Sequence, residues 1–144
     1  MTSHPPEPED RPIRAGIGLV GRDGRYLVRQ RPPGTAMAGY WEFPGGKCEP
    51  GESPEAATRR ECLEELGLAV TLGALRRVVS HRYPHAWVEL YYYEGRTADP
   101  RAEPGRETGF RWVAAEELPT LLFPEANGPI LQDLARESAL ARRG

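Results

Sequence analysis

Glu61, Glu64 and Glu65 stand close enough in the chain to act as one group. If the residues around them are helical, 100° per residue puts Glu65 about 40° from Glu61 and Glu64 about 60° to the other side, so three carboxylates share a face. Glu61 and Glu65, four residues apart, repel one another unless cations lie between them. Hard oxygen donors of this kind suit Mg2+ or Mn2+. Glu-rich helix faces are also often merely solvated, so the neighbouring residues decide. Upstream, Phe43-Pro44-Gly45-Gly46 carries two glycines that let backbone approach such a face, offering carbonyl ligands and amides near a phosphate chain. Acids and glycines together point to divalent-metal phosphate chemistry.

The same residues fall on a known pattern, G-x5-E-x7-R-E-U-x-E-E-x-G-U with U an aliphatic residue, and by it the chain resembles the Nudix hydrolase family. Gly46, Glu52, Arg60, Glu61, Glu64, Glu65, Gly67 and Leu68 stand at the required spacing. Cys62 takes an aliphatic position, and cysteine buries like a small hydrophobe. The resemblance implies an α/β fold, an α/β/α sandwich with a mixed sheet between helices. It implies that Glu61, Glu64 and Glu65, helped by a carbonyl of Gly45 or Gly46, bind Mg2+, with Mn2+ an alternative. Glu52 and Arg60 would support them, Arg60 by pairing with acids. Glu61 is the expected base for the attacking water, whose pKa a bound metal lowers.

Outside that box the chain resembles MutT-like members, which hydrolyse nucleoside triphosphates to the monophosphate and pyrophosphate. Gln30-Arg31-Pro32 and the run Trp41-Glu42-Phe43-Pro44-Gly45-Gly46-Lys47 are similar to the corresponding segments, which nominates Arg31, Glu42, Phe43, Pro44, Gly45 and Gly46 as substrate contacts. Gly105-Arg106-Glu107 looks like a loop that supplies a further acidic metal ligand, although Glu107 also reads as a plain surface acid. Phe123-Pro124-Glu125-Ala126-Asn127 is similar to a run whose Asn reads an oxidised purine; Asn127 is equally placed to cap a following helix. Arg31 either meets substrate or is an ordinary strand-end arginine. Ala36 and Ala86 stand where MutT has a His and an Arg, so base discrimination can differ. Tyr83, His85, Trp87 and Tyr91-Tyr92-Tyr93 either stack on a base or, as alternating strand aromatics usually do, fill the core. The substrate implied is 8-oxo-dGTP or a related nucleotide. The alternatives are a pyrimidine (CTP or dCTP) pyrophosphatase, an ADP-sugar or dinucleoside pyrophosphatase, and a nucleotide-binding module without catalysis.

These side chains need elements to hold them. Ser53 can cap a helix, Pro54 suits its first position and Gly67 its stop, which predicts a helix over Pro54–Leu66 with Ala56, Cys62, Leu63 and Leu66 on a sheet-facing stripe opposite the acids. Residues 13–20 and 26–28 read as a hairpin around Arg22-Asp23-Gly24. Residues 69–80, 86–93 and 110–113 read as strands, 81–85 as a turn and 94–108 as a loop. A short helical turn is expected at 115–118 and a helix at 129–143, with Ile130, Leu131, Leu134 and Leu140 apolar.

The bulk numbers bound the rest. A chain of 144 residues with 39% hydrophobic residues is sized for one core. The Pro- and acid-rich residues 1–12 read as a tail and 13–144 as a single domain. Nineteen basic against 21 acidic residues leave no excess to neutralise a nucleic-acid polymer. No run is apolar enough for a membrane span or a signal peptide, so the chain is expected to be cytoplasmic. Cys48 and Cys62 form neither a zinc pattern nor a disulfide framework. The expected partner is a small nucleotide; monomer and homodimer both remain open.

Overall fold

Successive residues of a strand point to opposite sheet faces, and here both faces are covered. Leu19 and Leu27 illustrate it: Leu19 and Val28 enter one core, while Val20 and Leu27 enter another on the reverse side. The computed structural model describes residues 11–143. In chain order its elements are β1 (Ile13–Arg22), β2 (Arg25–Gln30), β3 (Trp41–Glu42), β4 (Gly45–Lys47), α1 (Pro54–Leu66), β5 (Val70–Tyr83), β6 (Ala86–Thr97), β7 (Arg111–Ala114) and α2 (Gly128–Arg143). Short 3-10 turns occupy Arg106–Thr108, Ala115–Thr120 and Glu125–Asn127. The expected tail, apart from Arg11 and Pro12, lies outside the described residues.

The sheet is mixed, in the order β3-β2-β1-β6-β5, with β4 against β1 and β7 against β2. β1 runs parallel to β6 from Ile13↔Val88 to Val20↔Gly95. Its other edge is shared by β4, through Ala15↔Lys47 to Ile17↔Gly45, and by the hairpin to β2. On one face Cys62 and Leu66 of α1 pack with Val20, Leu27 and Phe110. On the other, Ile130, Leu131 and Leu134 of α2 pack with Leu19, Val28, Phe43, Tyr92, Val113 and Phe123. This is the α/β/α sandwich expected. No helix among the described residues is long and apolar enough to cross a membrane.

The helix predicted over Pro54–Leu66 forms with those bounds: Ser53 Oγ accepts from Ala56 N at 3.1 Å, and Gly67 ends it at φ 69. Other expectations need correction. The turn over 81–85 shrinks to Pro84-His85, because Arg82↔Trp87 and Tyr83↔Ala86 continue the ladder, and β6 runs on to Thr97. Among the apolar positions expected on α2, Leu140 is exposed, as is Leu63 on α1. β4 was not expected at all; two glycines carry no strand propensity, and it exists because β1 offers a free edge.

α1 rests on glycines. A Cβ at Gly16 would stand 2.2 Å from both Pro54 O and Thr58 Oγ1, and one at Gly18 would stand 2.8 Å from Cys62 Sγ. Helix backbone cannot yield to such an intrusion, so Gly16→Ala is expected to destabilise the protein by about 3 kcal/mol in urea unfolding. Gly128→Ala, with open space around the new methyl and helical backbone already in place, should be neutral or stabilising by about 0.5 kcal/mol. Equal effects from the two would refute the close-packing account.

Candidate active site

The carboxylates sit on a different side of α1 from the one expected. Ala57, Thr58, Cys62 and Leu66 are its buried residues, and on a helical wheel Glu61 and Glu65 fall between Ala57 and Cys62. The acids therefore belong to the sheet-facing side instead of opposing it. Their side chains are 21% and 18% exposed, against 60% for Glu64, which lies on the open flank. Glycine makes this possible. A Cβ on Gly46 would come within 2.6 Å of the Glu61 carboxyl carbon, and Gly45, at φ 151, has Gly16 O 2.3 Å from where its Cβ would be. Gly45 N–H donates to Glu65 Oε1 at 2.8 Å, tying β4 to the helix.

Two arginines pair with these acids. Arg60 makes a fork with Glu52, Nε to Oε2 at 2.9 Å and Nη2 to Oε1 at 2.8 Å, and donates from Nη1 to Glu61 Oε1 at 2.7 Å. That fork, with the Glu49 N–H, holds the Glu52 carboxyl down at about 2, and the same pairs raise Arg60. Arg60 thus contacts Glu52 and Glu61 at once. Arg29, which the sequence did not single out, does the same on the other side. It donates to Glu65 Oε2 and to Glu42 Oε2, both at 2.7 Å, and lies 4.6 Å over the Phe110 ring. Glu42 Oε1 in turn accepts from Arg31 Nη1 at 2.8 Å. A signal for Arg29 existed: Arg29 and Arg31 share a strand face, and Arg29 faces Glu42 across the ladder. Burial pushes the Glu65 carboxyl up to about 7, opposed by the Gly45 N–H and Arg29 and reinforced by Glu42 and Glu61. Burial also pushes the Cys62 thiol up to about 12, so it is an inert core group.

A cleft of about 410 Å3 opens along Gly45 and Gly46, and none of Glu61, Glu64 and Glu65 lines it. Among the nominated residues, Arg31, Glu42, Phe43, Gly45, Gly46 and Asn127 line it, with Ile17, Trp41, Tyr83, His85, Val88 and Leu90 supplying apolar and aromatic wall. A larger, more open hollow of about 630 Å3 follows Lys47–Pro54 and includes Glu52 alone of the nominated residues. Pro44 is fully buried, and its carbonyl accepts from Gly18 N at 2.8 Å, so it shapes the floor. Phe43 is a core residue, packed on Tyr92 and Phe123. Asn127 directly precedes α2, but its Oδ1 accepts from the Tyr92 hydroxyl at 2.7 Å, so its side chain does not act as the cap. Glu107 is exposed and folded back over Gly105, apart from the α1 acids; its turn is linked to them through Arg29 Nη1, 3.4 Å from Thr108 O.

Among the described residues no three Asp, Glu, His or Cys side chains converge as a metal cage. The donors nevertheless fit a divalent cation by chemistry: Glu61 and Glu65 are hard carboxylates one helical turn apart on a glycine floor that keeps other side chains away. Each now has an arginine as counter-charge, which a cation would relieve.

The sequence profile of the NUDIX domain matches residues 16–133. A protein of Haemophilus influenzae named 8-oxo-dGTP diphosphatase is 32% identical over 129 residues, 88% of this chain and 93% of that protein. A CTP pyrophosphohydrolase of Escherichia coli is 47% identical over 81 residues, 52% of this chain and 60% of that enzyme. Among solved structures, the MutT protein of Methanosarcina mazei superposes with a TM-score of 0.71 at 25% identity, over 89% of this chain and 96% of its own.

The half-buried Arg29 neutralises Glu42 and Glu65 together, so Arg29→Ala is expected to cost about 1–3 kcal/mol of stability in denaturant unfolding, with Arg29→Lys recovering part of it. An Arg29→Ala protein as stable as the parent would show that neither ion pair matters to the fold.

Proposed function

The chain belongs to the NUDIX domain family, and from that premise we propose that it hydrolyses a nucleoside triphosphate to the monophosphate and pyrophosphate with Mg2+, or Mn2+ in its place. The observation that carries this reading is the pair of carboxylates, Glu61 and Glu65, pressed onto Gly45 and Gly46, the same glycines that line the cleft containing Asn127. Glu61, Glu64 and Glu65, with a backbone carbonyl of Gly45 or Gly46, would hold the metal, and Glu107 would join them only if its turn moves in. When bound, the cation neutralises charge on the phosphate oxygens and makes water more acidic.

The chain's own residues do the rest. Glu61 Oε1 is engaged by Arg60, so Oε2 is the atom that receives the proton of the attacking water. As the water oxygen bonds to phosphorus, the bond to the bridging oxygen breaks and the diphosphate group leaves with the electron pair. Arg60, itself gripped by Glu52, keeps the Glu61 carboxylate aimed. Arg31 reaches phosphate or base from the cleft wall, and Asn127 meets the base edge. Relatives named 8-oxo-dGTP diphosphatase make an oxidised guanine nucleotide the first substrate to assay. The relative named CTP pyrophosphohydrolase favours a second reading, a pyrimidine triphosphate in the same cleft.

A panel of canonical and oxidised nucleoside triphosphates, assayed for pyrophosphate release in Mg2+ and in Mn2+, tests the reaction; no release from any of them sinks it. Glu61→Gln should lower kcat by about 10³ or more, roughly 4 kcal/mol of transition-state stabilisation, while nucleotide binding persists. A variant that keeps full turnover would move the base elsewhere.

A further inference from the structure

Arg29 and Arg60 both contact carboxylates of α1, but the charges around them differ. Arg60 has four acids within 3.8 Å, Glu49, Glu52, Glu61 and Glu64, so its flank of the helix keeps a large negative surplus. The ion pairs around Arg29 balance instead. Arg29 Nη2 donates to Glu65 Oε2 and Nε to Glu42 Oε2, while Arg31 holds Glu42 Oε1, so two guanidinium groups face two carboxylates. Toward Glu61 a divalent cation would find unspent negative charge. Toward Glu65 it would find a neutral group and a guanidinium already on the carboxylate, in a half-buried place where water screens like charges poorly.

Arg29 has other holds that survive the loss of Glu65. Its Nε is 2.7 Å from Glu42 Oε2, its guanidinium lies 4.6 Å over the Phe110 ring, and Nη1 is 3.4 Å from Thr108 O, a carbonyl contact with room to shorten. Only Nη2 reaches Glu65. The Gly45 N–H stays on Glu65 Oε1, so the acid remains aimed when the guanidinium leaves. We propose that Arg29 is the resident counter-cation of Glu65, displaced by the divalent cation, and that it thereby sets how much free Mg2+ or Mn2+ the protein needs to load its site. This rests on the metal-dependent reading above and adds to it a positioning residue, one that acts on the cation through Glu65. A carboxylate oxygen has lone pairs for two donors, so the competition is one of charge and not of space. Arg29→Lys therefore retains it. Arg29→Met, whose apolar stem still packs on Phe110, abolishes it.

Calorimetric titration with Mg2+ alone and with Mn2+ alone, on the parent protein, Arg29→Met and Arg29→Lys, gives the test. Arg29→Met should bind each ion about fivefold or more tighter than the parent, and Arg29→Lys within about twofold of it. An Arg29 that served to aim Glu65 at the ion would give the opposite sign. Weaker or unchanged binding by Arg29→Met overturns the proposal and leaves the hydrolase standing; so does equal tightening in Arg29→Lys, since charge would then not be the cause. A second readout needs only the parent. In nitrogen NMR spectra the Arg29 guanidinium, assigned by its loss in Arg29→Lys, should show faster rotation of its Nη2 group once Mg2+ saturates the protein. Rotation that stays slow overturns the proposal even if Arg29→Met fails to fold. Uptake of neither ion by the parent or by Arg29→Met, with or without a nucleoside triphosphate, removes the metal-dependent reading as well.

Discussion

The approach of α1 to a floor without side chains is the constraint on which the rest of this molecule depends. Gly16 and Gly18 of β1 and Gly46 of β4 leave room for Pro54 O, Thr58, Cys62 and the Glu61 carboxyl in turn. With any larger residue there the helix would ride higher, and its acids would meet water and not backbone. Close contact makes the sheet-facing side of α1 partly polar, an arrangement that a helix over an ordinary apolar sheet could not sustain. The buried carboxylates are tolerated because each has specific donors: Gly45 N–H and Arg29 for Glu65, Arg60 for Glu61.

Those donors connect elements that have little else in common. Arg29 reaches from β2 to α1, to β3 and to the turn before β7, and Arg60 reaches back to the Glu49–Glu52 loop. Arg60 engages one oxygen of Glu61 and leaves the other available, whereas Arg29 and the Gly45 N–H between them hold both oxygens of Glu65. The acids are in this way aimed before any ligand arrives, which is the condition under which electrostatic catalysis avoids reorganisation.

What could be read from residues alone divides by range. Ser53, Pro54 and Gly67 act within a turn of themselves, so the helix emerged with its true bounds. The acids and their supports Glu52 and Arg60 were legible because they are packed into one short stretch. Which way the acids face was not, since that depends on glycines some forty residues earlier in β1, and an apolar stripe drawn from α1 alone put Leu63 inside when it is exposed. β4 escaped for a related reason: it is a strand by virtue of its neighbour's edge, not of its own composition. Arg29 gains its role by reaching across the sheet to Glu42 and up to Glu65 of α1; its alternation with Arg31 hinted at a shared face, but neither partner could be read from that stretch alone.

The parallel pairing of β1 with β6 has a bearing on biosynthesis. The two strands are separated by about half the chain, and loop closure over such a span is slow compared with local helix formation. As the polypeptide leaves the ribosome, α1 and its acids emerge well before β6 exists to brace the strand beneath them. A nascent chain can thus display the whole acidic motif without having the enzyme, and the site matures only when the second half of the sheet is in hand.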